Sequence, residues 1–414
     1  MATSPDVDVT SEREMVAEQP VSRVRMIVVL GALVALGPLT MDLYLPALPR
    51  ITVELGVSSS VTQLTLTGTL AGLALGQLIV GPLSDSLGRR KPLIAGIVLH
   101  MLASAVCLAA PGFAVLGVGR VLQGIGASAV MVVAIAVVGD LFADAAAATV
   151  LSRLMLVLGV APVVAPSLGA VVLLHASWHW VFGVLVVLAG CLLVVAAVAL
   201  PETLPPSARR PLRVGAVGST YVELIRDARF VILVLVAALA MSGLFAYISG
   251  ASFVLQGHYG LNQQVFATVF GAGAISFITA SQINVVMLKR FSPQSIVVCA
   301  LAAAVVAGVA FVTLALAHAG GLAGFLLPVW SILAAMGLVI PNAPAVALSR
   351  HHDAAGTAAA LLGAAQFGIG AAVAPIVGVL GNDELALAVV MTTGVVVALV
   401  ALVTVIRRTE APVG

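Results

Sequence analysis

The stretch PETLPPSARRPLRVGAVGSTYVELIRDAR, residues 201–229, is the longest polar segment between the apolar runs of this chain. It is rich in proline and arginine, and the sequence on either side is almost continuously apolar. Counting outward from it decides the fold. A helix that crosses a bilayer needs about 20 mostly apolar residues. Six such runs precede the segment, at 24–48, 60–82, 92–111, 113–138, 150–174 and 178–200. Six follow it, at 230–256, 265–288, 295–317, 322–346, 356–380 and 385–406. The fifth and eleventh runs are interrupted by Gly and Pro, which neighbouring helices can accommodate by covering the freed backbone groups. The pattern predicts an all-α integral membrane protein. Twelve transmembrane helices form two six-helix halves around a central cavity. The expected division is a cytoplasmic tail over 1–22, an N-terminal half over 23–200 and a linker over 201–229. A C-terminal half over 230–407 and a tail over 408–414 complete it.

Composition agrees. The chain has 414 residues, 61% hydrophobic and 9% charged, where soluble globular proteins carry about 25% charged residues. So few charges cannot coat a water-facing surface of this size, and the solvent implied is lipid. A net charge of +2 gives no argument for nucleic acid as a partner. Cys107, Cys191 and Cys299 all lie in apolar runs and read as small buried hydrophobes, not as a disulfide framework or a metal site. The first run is longer than the apolar core of a cleaved signal peptide and follows an acidic tail, so it is expected to be retained.

Lys and Arg concentrate in cytoplasmic loops. Twelve spans put both termini on one side, and that side receives all of the 19 Lys and Arg residues except Arg50 and Arg120. Arg50 falls on the other side and Arg120 inside a span. Both termini are therefore expected in the cytoplasm. Trp178 and Trp180 then sit at the outer end of the sixth span, where an aromatic belt belongs.

The first span, LGALVALGPLTMDLYLPALP at residues 30–49, carries a carboxylate, Asp42, and the fourth carries Arg120. A charge at mid-bilayer costs roughly 2.5–3.5 kcal/mol and turns toward the bundle interior. Counted from Pro49 and Gly112, both groups lie ~10–12 Å below the outer surface at 1.5 Å per residue. Equal depth suggests that they face one cavity. Two readings stay open: a static ion pair between helices, or a proton site. In the second, burial disfavours the charged carboxylate while a nearby, permanently charged Arg favours it. Asp42 could then load and release a proton. His100, in the third span, is read as a packed histidine lying away from Asp42.

GPLSDSLGRRKPL, residues 81–93, joins the second and third spans. Gly81 and Gly88 permit tight turns, Asp85 can cap a helix N-terminus, and Arg89 and Arg90 can pair with carboxylates such as Asp140. This loop resembles the Gly-x-Leu-x-Asp-Arg-x-Gly-Arg-Arg signature of the major facilitator superfamily. Gly81, Leu83, Asp85, Gly88, Arg89 and Arg90 match, and Ser86 stands where Arg is usual. GRVLQGIGAS, residues 119–128, is similar to the family's Arg-x-x-Gln-Gly pattern through Arg120, Gln123 and Gly124. LGVAPVVAPSLGA, residues 158–170, resembles the fifth-span signature of the drug:proton antiporter branch. Pro166 and Gly169 match, while Ala161, Ala165 and Ala170 replace glycines. MDLYLPALP, YISGASFVLQ (247–256) and GTAAALLGAAQFGIGA (356–371) look most like the Bcr/CflA-type drug-resistance transporters.

The resemblance implies a multi-pass protein of the bacterial plasma (inner) membrane. It implies a proton-coupled antiporter that exports small hydrophobic or amphiphilic drugs such as phenicols and bicyclomycin by alternating access. No cofactor is implied, since the proton gradient drives transport, and the expected state is a monomer in the lipid bilayer. The loop 81–93 with Asp140 would act as a conformational latch, Asp42 and Arg120 as proton-coupling groups, and Pro166 and Gly169 as a helix-packing face. Helices one, four, seven and ten line the family's cavity, which nominates Tyr44, Gln123, Phe245, Tyr247, Phe253 and Trp330. Each is equally readable as helix packing. The rival on the same fold is a proton-coupled importer of a small metabolite. An intramembrane enzyme would need a nucleophile and base, or metal ligands, facing each other, and no such set occurs; nor does a phosphate-binding Gly-x-x-x-x-Gly-Lys-Ser/Thr loop.

Overall fold

The computed structural model describes residues 23–142, 144–209, 214–348 and 355–410. Among them, twelve helices are long and apolar enough to cross a membrane. They run over Val24–Glu54, Ser59–Leu87, Arg90–Leu108, Phe113–Leu141, Thr149–His175 and His179–Ala199, then Ala228–His258, Gln263–Met287, Pro293–Leu316, Gly321–Leu348, Gly356–Val379 and Glu384–Val405. Several outrun the apolar windows because polar residues continue the helix past the hydrocarbon. The second span, for example, carries on through Ser84, Asp85 and Ser86 to Leu87.

Side chains seal several helix starts. Ser58, Asn262 and Ser292 accept the Val61, Val265 and Ser295 N–H groups at the heads of spans two, eight and nine. Asp227 accepts from Arg229 and Phe230 at the head of span seven. Such caps satisfy N–H groups that have no partner within the helix.

Span one is segmented. Helix Arg23–Val34 gives way to Leu36–Asp42, a 3-10 turn at Leu45–Ala47, and a last helix Leu48–Glu54. Pro38 and Pro46 explain the breaks, because neither has an N–H to return to the carbonyl four residues back. For Pro46 that carbonyl belongs to Asp42.

Packing within lipid relies on close backbone approach, since the surrounding tails are as apolar as the side chains. Spans two and four meet where a side chain on Gly72 or Gly124 would strike the other helix's backbone. The first six spans pack mainly among themselves, as do the last six. Contact between the sets runs along span two against span eleven and span five against span eight.

The 201–229 segment holds more order than its composition suggests. It contains a turn at Pro206–Ala208 and a helix, Val214–Arg226. This linker helix packs on spans seven and eleven. Arg210 and Arg213 lie outside the described residues, as do the tails 1–22 and 411–414, Arg350, His351 and His352.

Candidate functional site

Thr40 and Tyr44 lie four residues apart in span one and share a face, while Asp42, two residues on from Thr40, is turned about 200° away from it. That rotation divides the expected Asp42–Arg120 cluster into two.

Arg120 is fully buried. Its Nη1 donates to the Thr40 carbonyl at 2.9 Å and to Gln123 Oε1 at 2.9 Å. Its guanidinium lies over the Tyr44 ring at 4.0 Å, with Phe182 at 5.7 Å, a cation–π arrangement. Nε and Nη2 have no partner. The network extends into span three. Gln123 Nε2 donates to Ser104 Oγ at 2.8 Å, and Ser104 Oγ donates to the His100 carbonyl at 2.7 Å. Thr40 Oγ1 donates to the Leu36 carbonyl at 2.6 Å and lies 2.7 Å from His100 Nε2. With its own proton engaged, the Thr40 hydroxyl accepts from His100, which assigns the Nε2–H tautomer. The Tyr44 hydroxyl lies 3.3 Å from Thr65 Oγ1.

Asp42 is 2% exposed, and its Oδ1 has no hydrogen-bond partner. Among the described residues no ion pair joins it to Arg120, so the static ion-pair reading is not realised. Tyr247 is buried, stacks on Phe270 with centroids 5.0 Å apart, and has an unpartnered hydroxyl. Three residues on from Asp42, the Leu45 carbonyl accepts from Ser252 of span seven at 2.6 Å, so Asp42 sits beside the boundary between the two sets of spans. Gly169 of span five lies against the Leu43 carbonyl, where any side chain would collide. Pro166 is buried one turn earlier.

The remaining cavity candidates pack against neighbouring helices. Phe253 is buried, and Phe245 packs on Phe367 at 5.9 Å. Trp330 lies against Gly273 between spans eight and ten, with Nε1 unpartnered. A recess of about 380 Å³ lined by Ala307, Leu314, Gly324 and Leu327 lies between spans nine and ten, away from Asp42 and Arg120.

At the basic end, Arg89 gathers the residues expected to form the latch. Its Nε donates to Asp140 Oδ2 at 2.9 Å, its Nη2 to Asp140 Oδ1 at 3.3 Å, and its Nη1 to Ser84 at 2.8 Å and to Asp85. Burial alone would loosen the Arg89 proton, but Asp140 and Asp85 outweigh it and hold the guanidinium more firmly protonated than usual. Arg90 donates to the Ala197 carbonyl instead of a carboxylate. Gly88 has φ +90°, a conformation L side chains rarely adopt, and a side chain there would also strike Glu202. Gly81 has open space around it.

Glu202 and Thr203 were not singled out by sequence. Glu202 accepts the Arg89 N–H at 2.8 Å, the Arg90 N–H at 3.3 Å and the Leu204 N–H at 3.1 Å. Thr203 donates to Asp140 at 2.8 Å. Partial burial works against the Glu202 charge, but these N–H groups and the Arg209 charge outweigh it, holding its pKa below the ordinary carboxylate value. The available signal was an acidic residue immediately after a span, on the side richest in arginine.

The profile of the Major Facilitator Superfamily matches residues 30–375. The chain is 38% identical over 363 residues to YdgK, an uncharacterized MFS-type transporter of Bacillus subtilis (strain 168), covering 86% of this chain and 89% of that one. It is 30% identical to a bicyclomycin resistance protein homolog of Haemophilus influenzae, covering 87% and 90%. It is also 30% identical to a chloramphenicol resistance protein of Pseudomonas aeruginosa, covering 79% and 77%. The xylose transporter XylE from E. coli, solved in a partially occluded inward-open conformation, superposes with a TM-score of 0.72. The match covers 91% of this chain and 96% of that one at 13% identity, a likeness of fold.

Proposed function

Because the chain belongs to the major facilitator superfamily, we propose that it is a proton-coupled antiporter exporting small hydrophobic or amphiphilic drugs, of the phenicol and bicyclomycin kind, by alternating access. The observation that carries the proton half is Asp42, buried beside the boundary between the two sets of spans with an unpartnered oxygen. A bare carboxylate in such a place is costly. The closed form therefore favours the neutral acid, and contact with water on either side favours release of the proton. Arg120, tied to Thr40, Gln123 and the Tyr44 ring, acts as a fixed positive anchor behind the helix that carries Asp42. Relatives named for bicyclomycin and chloramphenicol resistance support the drug class. So does the aromatic, sparsely polar character of Tyr44, Tyr247 and Phe253.

In this reading the basic end faces the cytoplasm of a bacterial inner membrane, and the proton gradient drives the cycle. Asp42→Asn in proteoliposomes tests it. Gradient-driven chloramphenicol export should fall at least about tenfold, while drug–drug exchange without a gradient persists. Undiminished gradient-driven export by the variant would sink the proposal. Drug that enters together with protons would favour the importer.

A further inference from the structure

The linker helix makes a contact that repairs a defect in span two. Pro82 lies inside the helix Ser59–Leu87. It has no N–H, so the carbonyl four residues back, that of Leu78, receives no bond from residue 82. The hydroxyl of Tyr221, on the linker helix, donates to that same Leu78 carbonyl at 3.1 Å. An unpaired carbonyl in a membrane-length helix is expensive and must find a donor elsewhere. Burial raises the Tyr221 pKa above its usual value, so the phenol keeps its proton and remains a donor at neutral pH.

The position matters as much as the bond. The linker helix packs on spans seven and eleven, whereas Leu78 belongs to span two. Gln77, next to Leu78, lies against Gly363 of span eleven. The Tyr221 bond therefore straddles the seam between the first and last six spans. It is also one turn from Pro82 and two turns from the latch residue Asp85.

We infer that Tyr221 is a positioning residue: its hydroxyl replaces the backbone hydrogen bond that Pro82 removes, and so fastens the linker helix across the span two–span eleven seam beside the latch. Its role in the transport cycle rests on the transporter reading above; the fastening itself does not.

The test uses the full chain in lipid nanodiscs and a cycle of Tyr221→Phe and Pro82→Ala. Phenylalanine keeps the ring and loses the hydroxyl, while alanine at 82 restores an N–H to the Leu78 carbonyl. In the Pro82 background, Y221F should speed amide exchange over residues 214–226 by about three- to tenfold, the range one hydrogen bond represents. In the P82A background the same substitution should change it less than about twofold. No change in the first background, or equal changes in both, overturns the inference. In the transport arm, Y221F should lower the maximal rate of chloramphenicol export two- to fivefold at an unchanged half-saturating concentration. A shifted half-saturating concentration with an unchanged maximal rate would overturn the positioning role. Wild-type protein that fails to export chloramphenicol would count against the drug reading alone, because the exchange arm decides the fastening without transport.

Discussion

Thr40 is engaged three ways: its proton goes to the Leu36 carbonyl, its oxygen receives His100, and its own carbonyl receives Arg120. The residues of this network are buried and their bonds share partners, so removing one leaves others unsatisfied. His100→Ala and Thr40→Val should each destabilise the protein by about 1–3 kcal/mol. The double variant should cost less than the sum, because the two remove the same bond. Thermal unfolding in detergent measures all three. Asp42 and Arg120 were both legible as buried charges, and their depths agreed. No ion pair forms between them, and depth alone could not decide that, because it says nothing about angle. Had helical rotation been applied to Thr40, Asp42 and Tyr44, it would have turned Asp42 away from whatever receives the other two. His100 was read as packed, and it is buried, but its Nε2 partner Thr40 lies in another span, and no local pattern encodes that.

Among the elements, span three shows how a helix can borrow its start. Arg89, its N-cap residue, contributes no capping side chain, and Glu202 supplies the acceptor from beyond span six. Glu202→Ala should cost roughly 0.5–2 kcal/mol, the range of a lost helix cap. The sign of its pH dependence follows from a folded-state pKa below the ordinary 4.5. The contribution is complete above 4.5 and disappears as pH falls through the lower, folded value. Melting curves between pH 3 and 6 should therefore converge for wild type and E202A at the acid end. The spans themselves were readable because each needs a long apolar run. The linker helix was not, since VGAVGST combines two glycines with β-branched residues of poor helix propensity. Packing overrides that preference: Leu224 is buried against the bundle.

Over the whole molecule, hydrogen bonds between the two sets of spans gather at the end opposite the basic loops. Gln63 of span two donates to Asn382 at 2.7 Å and to the Ser249 carbonyl at 3.2 Å. Ser252 donates to the Leu45 carbonyl at 2.6 Å, and Arg50 Nη2 to Gln263 at 3.2 Å. In the proposed alternating-access cycle these bonds would part. Gln63→Cys with Asn382→Cys, in a background lacking Cys107, Cys191 and Cys299, should cross-link under mild oxidation and stop transport. A reductant should restore it, and an uncrosslinked pair or undiminished flux after cross-linking would contradict this closure. Six spans either side of one linker could be counted from hydropathy alone. Gln63 and Asn382, 319 residues apart, could not be matched that way, because neither side chain differs from an ordinary polar residue until the fold brings them together.

The two ends of the molecule carry different chemistry. Amides and hydroxyls, with one arginine, join the far end, whereas carboxylates and guanidiniums gather at the basic end around Arg89, Asp85, Asp140 and Glu202. Dissolved ions screen exposed charges over about 8 Å at physiological ionic strength and leave neutral dipoles nearly untouched. Raising the ionic strength around the arginine-rich loops should therefore loosen the partly exposed charge cluster of the first six spans slightly, while the neutral contacts that join the two sets of spans at the far end stay almost indifferent to brine.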